Sequence, residues 1–199
     1  MKWKAKYLLI SESLYEFAAG LFGPIYAIFV EKIGGDILTA GWAWALFAIV
    51  SGITLYLVGR FEDKLRKDEW VIVIGFSLAS LGILGYLFVS KPWHLFIVQA
   101  VLGFGWAFGT PALDAIYSKN VEKQKMDSQW GLWEASIRIV EGISALIGGV
   151  IAFAFGFKVL FLTMFLISLT AIGIASTLVW RKRKNPRLRQ EKRKRWLSV

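Results

Sequence analysis

The chain has 199 residues, of which 56% are hydrophobic, and it carries a formal net charge of +10. A soluble domain contains about 45–50% apolar residues, so this composition excludes an ordinary soluble protein and indicates an integral membrane protein. Because cysteine is absent, the chain has neither disulfides nor thiolate metal sites. The sequence also contains no nucleophile–base pair, metal cluster or phosphate loop. We therefore expect neither an enzyme nor a bound metal or cofactor.

The predicted elements are six apolar stretches of about 20 residues, the length needed to cross a hydrocarbon core of about 30 Å. Together they predict an all-α, polytopic membrane protein with one transmembrane domain at residues 1–180. The spans cover residues 7–30, 38–58, 70–89, 93–117, 129–155 and 157–180. A soluble bundle of buried helices is the alternative, but these stretches carry almost no charge on any face.

The basic residues predict how the spans are oriented. Twenty lysines and arginines flank the side of the membrane that holds both termini, whereas the other side holds only Lys32, Lys91 and Lys158. Positive charge is retained in the cytoplasm, so we expect both termini there, in a multi-pass protein of the cytoplasmic (inner) membrane. Residues 181–199 form a basic cytoplasmic tail, which is expected to contact anionic lipid rather than nucleic acid.

Span 1 and span 4 carry polar side chains at positions that lie inside the predicted membrane. In span 1, Glu12 and Glu16 are four residues apart and therefore share one helical face. Pro111 in span 4 removes a helix hydrogen bond and is expected to kink that helix. Span 4 also contributes three polar residues, which are Gln99, Thr110 and Asp114.

Span 5 carries three charged residues on one face, Glu134, Arg138 and Glu141. A charge that faces lipid costs roughly 2.5–3.5 kcal/mol, so this face is expected to point into the protein. It forms either a salt-bridge ladder that locks the helix to a neighbour or the lining of a polar path. Within the spans, five carboxylates stand against Arg138 alone. They cannot all stay charged in a low dielectric, so some should hold a proton or a cation.

Short motifs along the chain resemble the major facilitator superfamily (MFS) of transporters. The segment GRFEDKLRK after span 2 is similar to the family's cytoplasmic signature, with Arg66 in place of its second glycine. The matching positions are Gly59, Asp63, Lys64 and Lys67. In span 4, QAVLGFGWA resembles the pattern Arg-x-x-Gln-Gly-x-Gly, although Gln99 stands where arginine is expected. In span 5, SALIGG keeps only the two glycines of a further pattern.

The resemblance covers nearly the whole chain but only half of a family member, which has 12 helices in two six-helix halves. It implies a transporter or half-transporter that moves a small solute or cation by alternating access. The predicted path comprises Glu12, Glu16, Gln99, Thr110, Glu134, Arg138 and Glu141. The predicted cytoplasmic gate comprises Gly59, Asp63, Lys64, Arg66, Lys67 and Asp114. Asp114 would pair there with Lys64 or Arg66. Proton coupling through Glu16 or Glu141 is an alternative to a cationic solute.

A six-helix half would leave acid-bearing faces in lipid unless it found a partner. We therefore expect a parallel homodimer whose interface and cavity use spans 1, 2, 4 and 5, with spans 3 and 6 outside. Pairing with a separately encoded second half is the main alternative. Two other interpretations remain open at this point: a non-transporting membrane scaffold, and a truncated N-terminal half of a 12-helix transporter.

Overall fold

The structure is a computed structural model that describes residues 1–62 and 69–184. Six stretches of these residues are long and apolar enough to cross a membrane, which confirms the predicted all-α, six-span architecture. The α-helices are α1 (Trp3–Gly20), α2 (Tyr26–Lys32), α3 (Ile37–Glu62), α4 (Glu69–Gly85), α5 (Pro92–Asn120), α6 (Met126–Phe155) and α7 (Phe157–Lys184). The short 3-10 helices are Gly23–Ile25, Tyr86–Phe88 and Lys123–Lys125.

The helices run back and forth between two ends of one bundle. The near end is the end at which α1, α4 and α6 begin, and the far end is the one at which α3, α5 and α7 begin. The connections at the far end are short. Gly156 alone joins α6 to α7, with a φ of +82° that favours glycine.

The first span consists of two helices rather than one. After α1 ends at Gly20, the chain forms the 3-10 turn Gly23–Ile25, in which Pro24 lacks a backbone N–H, and only then continues as α2. Pro111 does not end α5, which continues to Asn120. The interruption of the first span brings Tyr26 to the far end of the central cavity described below.

Close backbone contacts hold the helices together. A Cβ atom built on Gly105 of α5 would lie 2.3 Å from the backbone nitrogen of Ala79 in α4. A Cβ atom on Gly148 of α6 would lie 1.8 Å from the carbonyl oxygen of Leu21, just after α1. Small residues allow such approach in lipid, where hydrophobicity alone does not drive helices together. Through these contacts α4 packs directly against α5, and α6 packs against the first span.

Buried aromatic rings fill the far half of the bundle. Phe161 of α7 packs against Phe22 with a centroid distance of 5.0 Å, against Phe29 at 4.9 Å and against Tyr86 at 5.1 Å. These rings join the first span, the end of the third span and α7 in one apolar cluster. The near end has a second aromatic contact, between Tyr117 and Trp133 with a centroid distance of 4.3 Å, and an ion pair in which the ammonium group of Lys4 lies 2.8 Å from the carboxylate of Glu69.

Two helices are covered much less than the others. In the most apolar stretch of α3, only 17% of the residues are buried, and the same share is buried in α6. The corresponding share is 44% for α4 and 50% for α5. A Cβ atom added to Gly52 on α3 or to Gly142 on α6 would meet no neighbouring atom within 4 Å. The chain therefore leaves one open face on α3 and another on α6.

Candidate functional site

A cavity of about 510 Å³ lies in the centre of the bundle. Its wall receives side chains from every span, with most of the polar ones on α1, α5 and α6. A volume in the range of about 300–1,000 Å³ suits a small-molecule ligand. The seven residues of the predicted path all lie on this wall: Glu12, Glu16, Gln99, Thr110, Glu134, Arg138 and Glu141.

Three carboxylates from two helices lie close together in the near half of the cavity. Glu12 lies within electrostatic range of Glu16 on its own helix and of Asp114 on α5. The Oε2 atom of Glu12 is buried and has no hydrogen-bond partner. A buried polar atom without a partner is costly, so this oxygen is a position at which a proton or a cationic group would be stabilised.

Asp114, which the sequence assigns to the gate, also has a place on the cavity wall. It lies on the cavity wall, within electrostatic range of Glu134 on α6. Its proposed partners Lys64 and Arg66 lie outside the described residues, as do Asp63 and Lys67. Gly59, the remaining member of the predicted gate, lies near the end of α3 with open space around it.

Arg138 forms its ion pair within α6. Its Nη1 atom lies 2.6 Å from Oε2 of Glu141, and the two side chains are 70% and 36% exposed. The pair is therefore an open one on the cavity wall, and it does not join α6 to another helix. Among residues 1–62 and 69–184, no ion pair reaches Glu12, Glu16, Asp114 or Glu134.

A hydrogen-bonded group occupies the far half of the cavity. The side-chain amide of Gln99, which is 3% exposed, donates from Nε2 to the hydroxyl of Tyr26 at 2.8 Å. The hydroxyl of Tyr86 donates to Oε1 of Gln99 at 3.5 Å. The two tyrosines hold the amide plane of Gln99, which lies at the position where the family pattern has arginine. This part of the wall is polar but uncharged.

Aromatic rings form the rest of the far wall. Trp44 and Phe47 of α3 have centroids 5.5 Å apart, and Phe47 lies 6.3 Å from Trp106 of α5. Trp106 is also a neighbour of the Glu16 carboxylate. It therefore lies where the aromatic and acidic parts of the wall meet.

Sequence reasoning identified the charged wall residues and missed the aromatic ones. A charge in an apolar span is costly and therefore conspicuous, whereas Trp44, Phe47 and Trp106 look like any other apolar residue of a membrane helix. One signal was present for Tyr26: the Gly-Pro pair at 23–24 is typical of a turn, and such a break re-aims the residues that follow it.

The described residues contain no group of three or more histidine, cysteine, aspartate or glutamate side chains placed to hold a metal ion. The wall can instead receive a single cationic group, a proton, or a ligand larger than an ion.

Comparison with known proteins places the chain among membrane transporters. A family model described as Major Facilitator Superfamily matches residues 8–199. An uncharacterized MFS-type transporter of Methanocaldococcus jannaschii is 29% identical over 142 residues, which cover 71% of this chain and 36% of that protein. The multidrug resistance protein MdtG of Escherichia fergusonii is 23% identical over 186 residues, with 91% and 45% covered.

The relatives differ in how much of their own length this chain matches. The chain spans less than half of the two proteins just described. The uncharacterized MFS-type transporter YitZ of Bacillus subtilis is 24% identical over 148 residues, and these cover 73% of this chain and 88% of YitZ. The matched part of this chain thus corresponds to less than half of the first two relatives and to most of the third.

Proposed function

The chain belongs to the major facilitator superfamily, and on this basis we propose that it moves a small solute across the membrane by alternating access. The observation that carries the proposal is the central cavity, whose wall receives all seven residues of the predicted path. Such a cavity with an acidic wall costs a membrane protein stability. A scaffold that only held a partner would have no use for it.

The charge of the wall supports a cationic solute or proton coupling. Five carboxylates and one guanidinium line the cavity, and the guanidinium of Arg138 is already paired with Glu141. The remaining acids lie in a region where isolated charges are strongly disfavoured. Either an arriving cation or a bound proton would relieve this cost, and both would link the occupancy of the site to its conformation.

The open faces of α3 and α6 support a parallel homodimer as the working unit. Each of these helices lines the cavity on one side and is otherwise the least covered part of the bundle. Two copies related by an axis along the membrane normal would meet through these faces, as the two halves of a full-length family member do. A separately encoded second half would use the same faces, and mass measurement separates the two cases.

The orientation follows from charge and forms part of the proposal. Both termini face the cytoplasm, because most of the basic residues flank that side. The near end of the bundle is then the cytoplasmic end. Residues 185–199 lie outside the described part of the chain, and their basic sequence suits contact with anionic lipid.

Site-directed labelling in this cysteine-free chain tests both the mechanism and the orientation. Thr110→Cys places a thiol on the cavity wall, where the threonine hydroxyl donates to the carbonyl of Trp106 in its own helix. Lys158→Cys and Gln124→Cys place thiols at exposed positions of the far end and the near end. A membrane-impermeant maleimide is added either to whole cells or to inverted vesicles.

For alternating access, Thr110→Cys reacts from both sides of the membrane. Lys158→Cys should react only in whole cells, and Gln124→Cys only in inverted vesicles. Labelling of Thr110→Cys from one side alone would contradict transport and favour a static scaffold. Labelling of Gln124→Cys in whole cells would overturn the proposed orientation.

A further inference from the structure

The cavity wall changes its chemistry along the membrane normal. Glu12 and Glu16 lie about 14 and 20 Å from the start of α1 at the near end, at a rise of about 1.5 Å per residue. Trp44 and Phe47 lie about 11 and 15 Å from the start of α3 at the far end by the same rise. All four line the same cavity, with the two acids closer to the near end and these two rings closer to the far end.

The acidic part shares one positive charge, because Arg138 lies within electrostatic range of Glu16. The only basic side chain on the described wall is Arg138, and Glu141 already binds it. The Oε2 atom of Glu12 is buried without a hydrogen-bond donor, although its charge lies close to those of Glu16 and Asp114. Charge-assisted hydrogen bonds from a cationic donor would satisfy this oxygen and reduce the repulsion between the acids.

The aromatic part offers ring faces at a suitable distance from those acids. Trp44, Phe47 and Trp106 follow one another with centroid distances of 5.5 and 6.3 Å. Ring faces attract both cations and other apolar groups. Because Trp106 is a neighbour of Glu16, one ligand can touch the rings and the carboxylates together.

The neutral side-chain amide of Gln99 leaves the far part of the cavity without a positive charge at this position. Gln99 is held by Tyr26 and Tyr86, and it lies on the wall between the aromatic rings. A guanidinium at this position would repel a cation over a few ångströms in a region of low dielectric constant. The neutral amide therefore permits a positively charged ligand that an arginine would oppose.

We propose that the solute is an amphipathic organic cation, whose charged group binds between Glu12 and Glu16 and whose apolar body packs against Trp44, Phe47 and Trp106. This inference rests on the transport function proposed above and names the substrate class of the same site. An inorganic cation fits less well, because it requires several oxygen ligands and the described acids form no such cluster. An organic anion would be repelled by the carboxylates of the cavity wall.

The test uses the purified full chain and two probes of related shape. Tritiated 2-(naphthalen-2-yl)ethylammonium is an aromatic cation whose N–H groups can donate to the carboxylates, and 2-(naphthalen-2-yl)ethanol is a neutral molecule with the same aromatic body. We expect the cation to bind and the neutral analogue to be a competitor at least about tenfold weaker, because it lacks the charge that the carboxylates receive. Equal competition by the two molecules would overturn the proposal.

Five variants test the location of the site. Glu12→Gln and Glu16→Gln should each weaken binding of the cation about tenfold, and Phe47→Ala should weaken it about threefold, since ring contacts are the smaller term. Glu31→Gln is the matched control, because Glu31 is an exposed carboxylate that does not line the cavity. Glu12→Asp keeps the charge, and we expect it to retain most of the binding that Glu12→Gln loses, whereas a purely structural role would make both variants weak.

The outcome is separable from that of the labelling experiment. Charge-dependent binding that is lost in Glu12→Gln and Glu16→Gln supports the cation site, whichever way Thr110→Cys reacts. Two-sided labelling of Thr110→Cys together with unchanged binding in both glutamine variants would keep transport and reject the cation site. Each folded variant is compared with the parent by its melting temperature, so that loss of fold is recognised as such.

Discussion

The ammonium group of Lys4 lies 2.8 Å from the carboxylate of Glu69, and this contact joins the start of α1 to the start of α4 at the near end of the bundle. The Glu69 side chain is only 5% exposed and that of Lys4 is 19% exposed. A carboxylate this well buried is stabilised chiefly by its partners. The pair fixes the helix that carries Glu12 and Glu16 against the interior of the bundle.

Removal of the Lys4 ammonium group, the partner of Glu69, should destabilise the fold. We expect Lys4→Ala to lower the melting temperature in mild detergent clearly, since breaking a buried ion pair costs about 3–5 kcal/mol and this pair is partly buried. Lys6→Ala is the control, because Lys6 is exposed and forms no ion pair among the described residues. Equal melting temperatures for the two variants would show that the Lys4 contact does not stabilise the bundle.

Two adjacent glycines of α6 should respond oppositely to the same substitution. A methyl group at Gly148 would collide with the carbonyl oxygen of Leu21, whereas Gly149 has open space around it. Alanine is favoured over glycine in a helix by about 0.8–1.0 kcal/mol, so Gly149→Ala should fold as well as the parent or better. Gly148→Ala should separate α6 from the first span and lower the yield of folded protein. Similar yields would contradict the close approach of these helices.

The Arg138–Glu141 pair should contribute little to stability and more to function. Because both side chains are substantially exposed, Arg138→Ala should change the free energy of unfolding by no more than about 1 kcal/mol. Arg138→Ala should nevertheless impair uptake of a probe solute more than the double change Arg138→Ala/Glu141→Gln, which also removes the released carboxylate. Identical uptake by the single and double variants would show that the two residues act independently.

The start of α3 should show a dependence on acid pH. Oδ1 of Asp36 accepts hydrogen bonds from the backbone N–H and the hydroxyl of Thr39, both at 2.7 Å, and these hydrogen bonds hold the pKa of Asp36 below its ordinary value of 3.8. The stability that the charged Asp36 carboxylate contributes is therefore complete at pH values above its ordinary pKa. It is lost as the pH falls through the lower pKa of the folded state. Asp36→Ala should melt below the parent at pH 7, and the difference should shrink in acid. A difference that stays constant down to about pH 3 would contradict the charged cap.

Open glycines provide matched positions for testing the homodimer. Gly52 on α3, Gly142 on α6 and Gly173 on α7 all have room for a side chain, and the chain contains no other thiol to compete. Cysteine at Gly52 or Gly142 should form disulfide-linked dimers in native membranes, whereas cysteine at Gly173 should not. The mass of the uncrosslinked protein in nanodiscs should equal that of two copies. A monomer in native lipid would reject the homodimer.

The sequence predicted the architecture well because apolar length is a direct physical requirement of the bilayer. The predicted first residues of the last two spans, 129 and 157, lie within a turn of the observed starts at Met126 and Phe157. The predicted end at 155 coincides with the end of α6. The division of the first span was not predicted from its hydropathy, because Pro24 interrupts the backbone hydrogen bonds without changing how apolar the segment is.

The site was predictable only where its chemistry was unusual for a membrane. Glu12 and Glu141 could be assigned to the interior from the cost of placing charge in lipid. The partner of Arg138 could not be assigned, since the spacing of Glu134 and Glu141 allows either of them. The contact of Gln99 with Tyr26 depends on the break before α2. Contacts between residues far apart in sequence follow from packing, which periodicity does not report.

The single-residue connection at Gly156 has a consequence for how the protein is made. Because a single residue separates the two helices, we expect α6 and α7 to enter the bilayer together as a hairpin. The most apolar stretch of α7 has a mean hydropathy of 2.3, whereas α6 carries Glu134, Arg138 and Glu141. Insertion as a hairpin would couple the costly insertion of the charged helix α6 to the favourable insertion of α7. Because the first span is synthesised before α6, it can be in the membrane when α6 inserts.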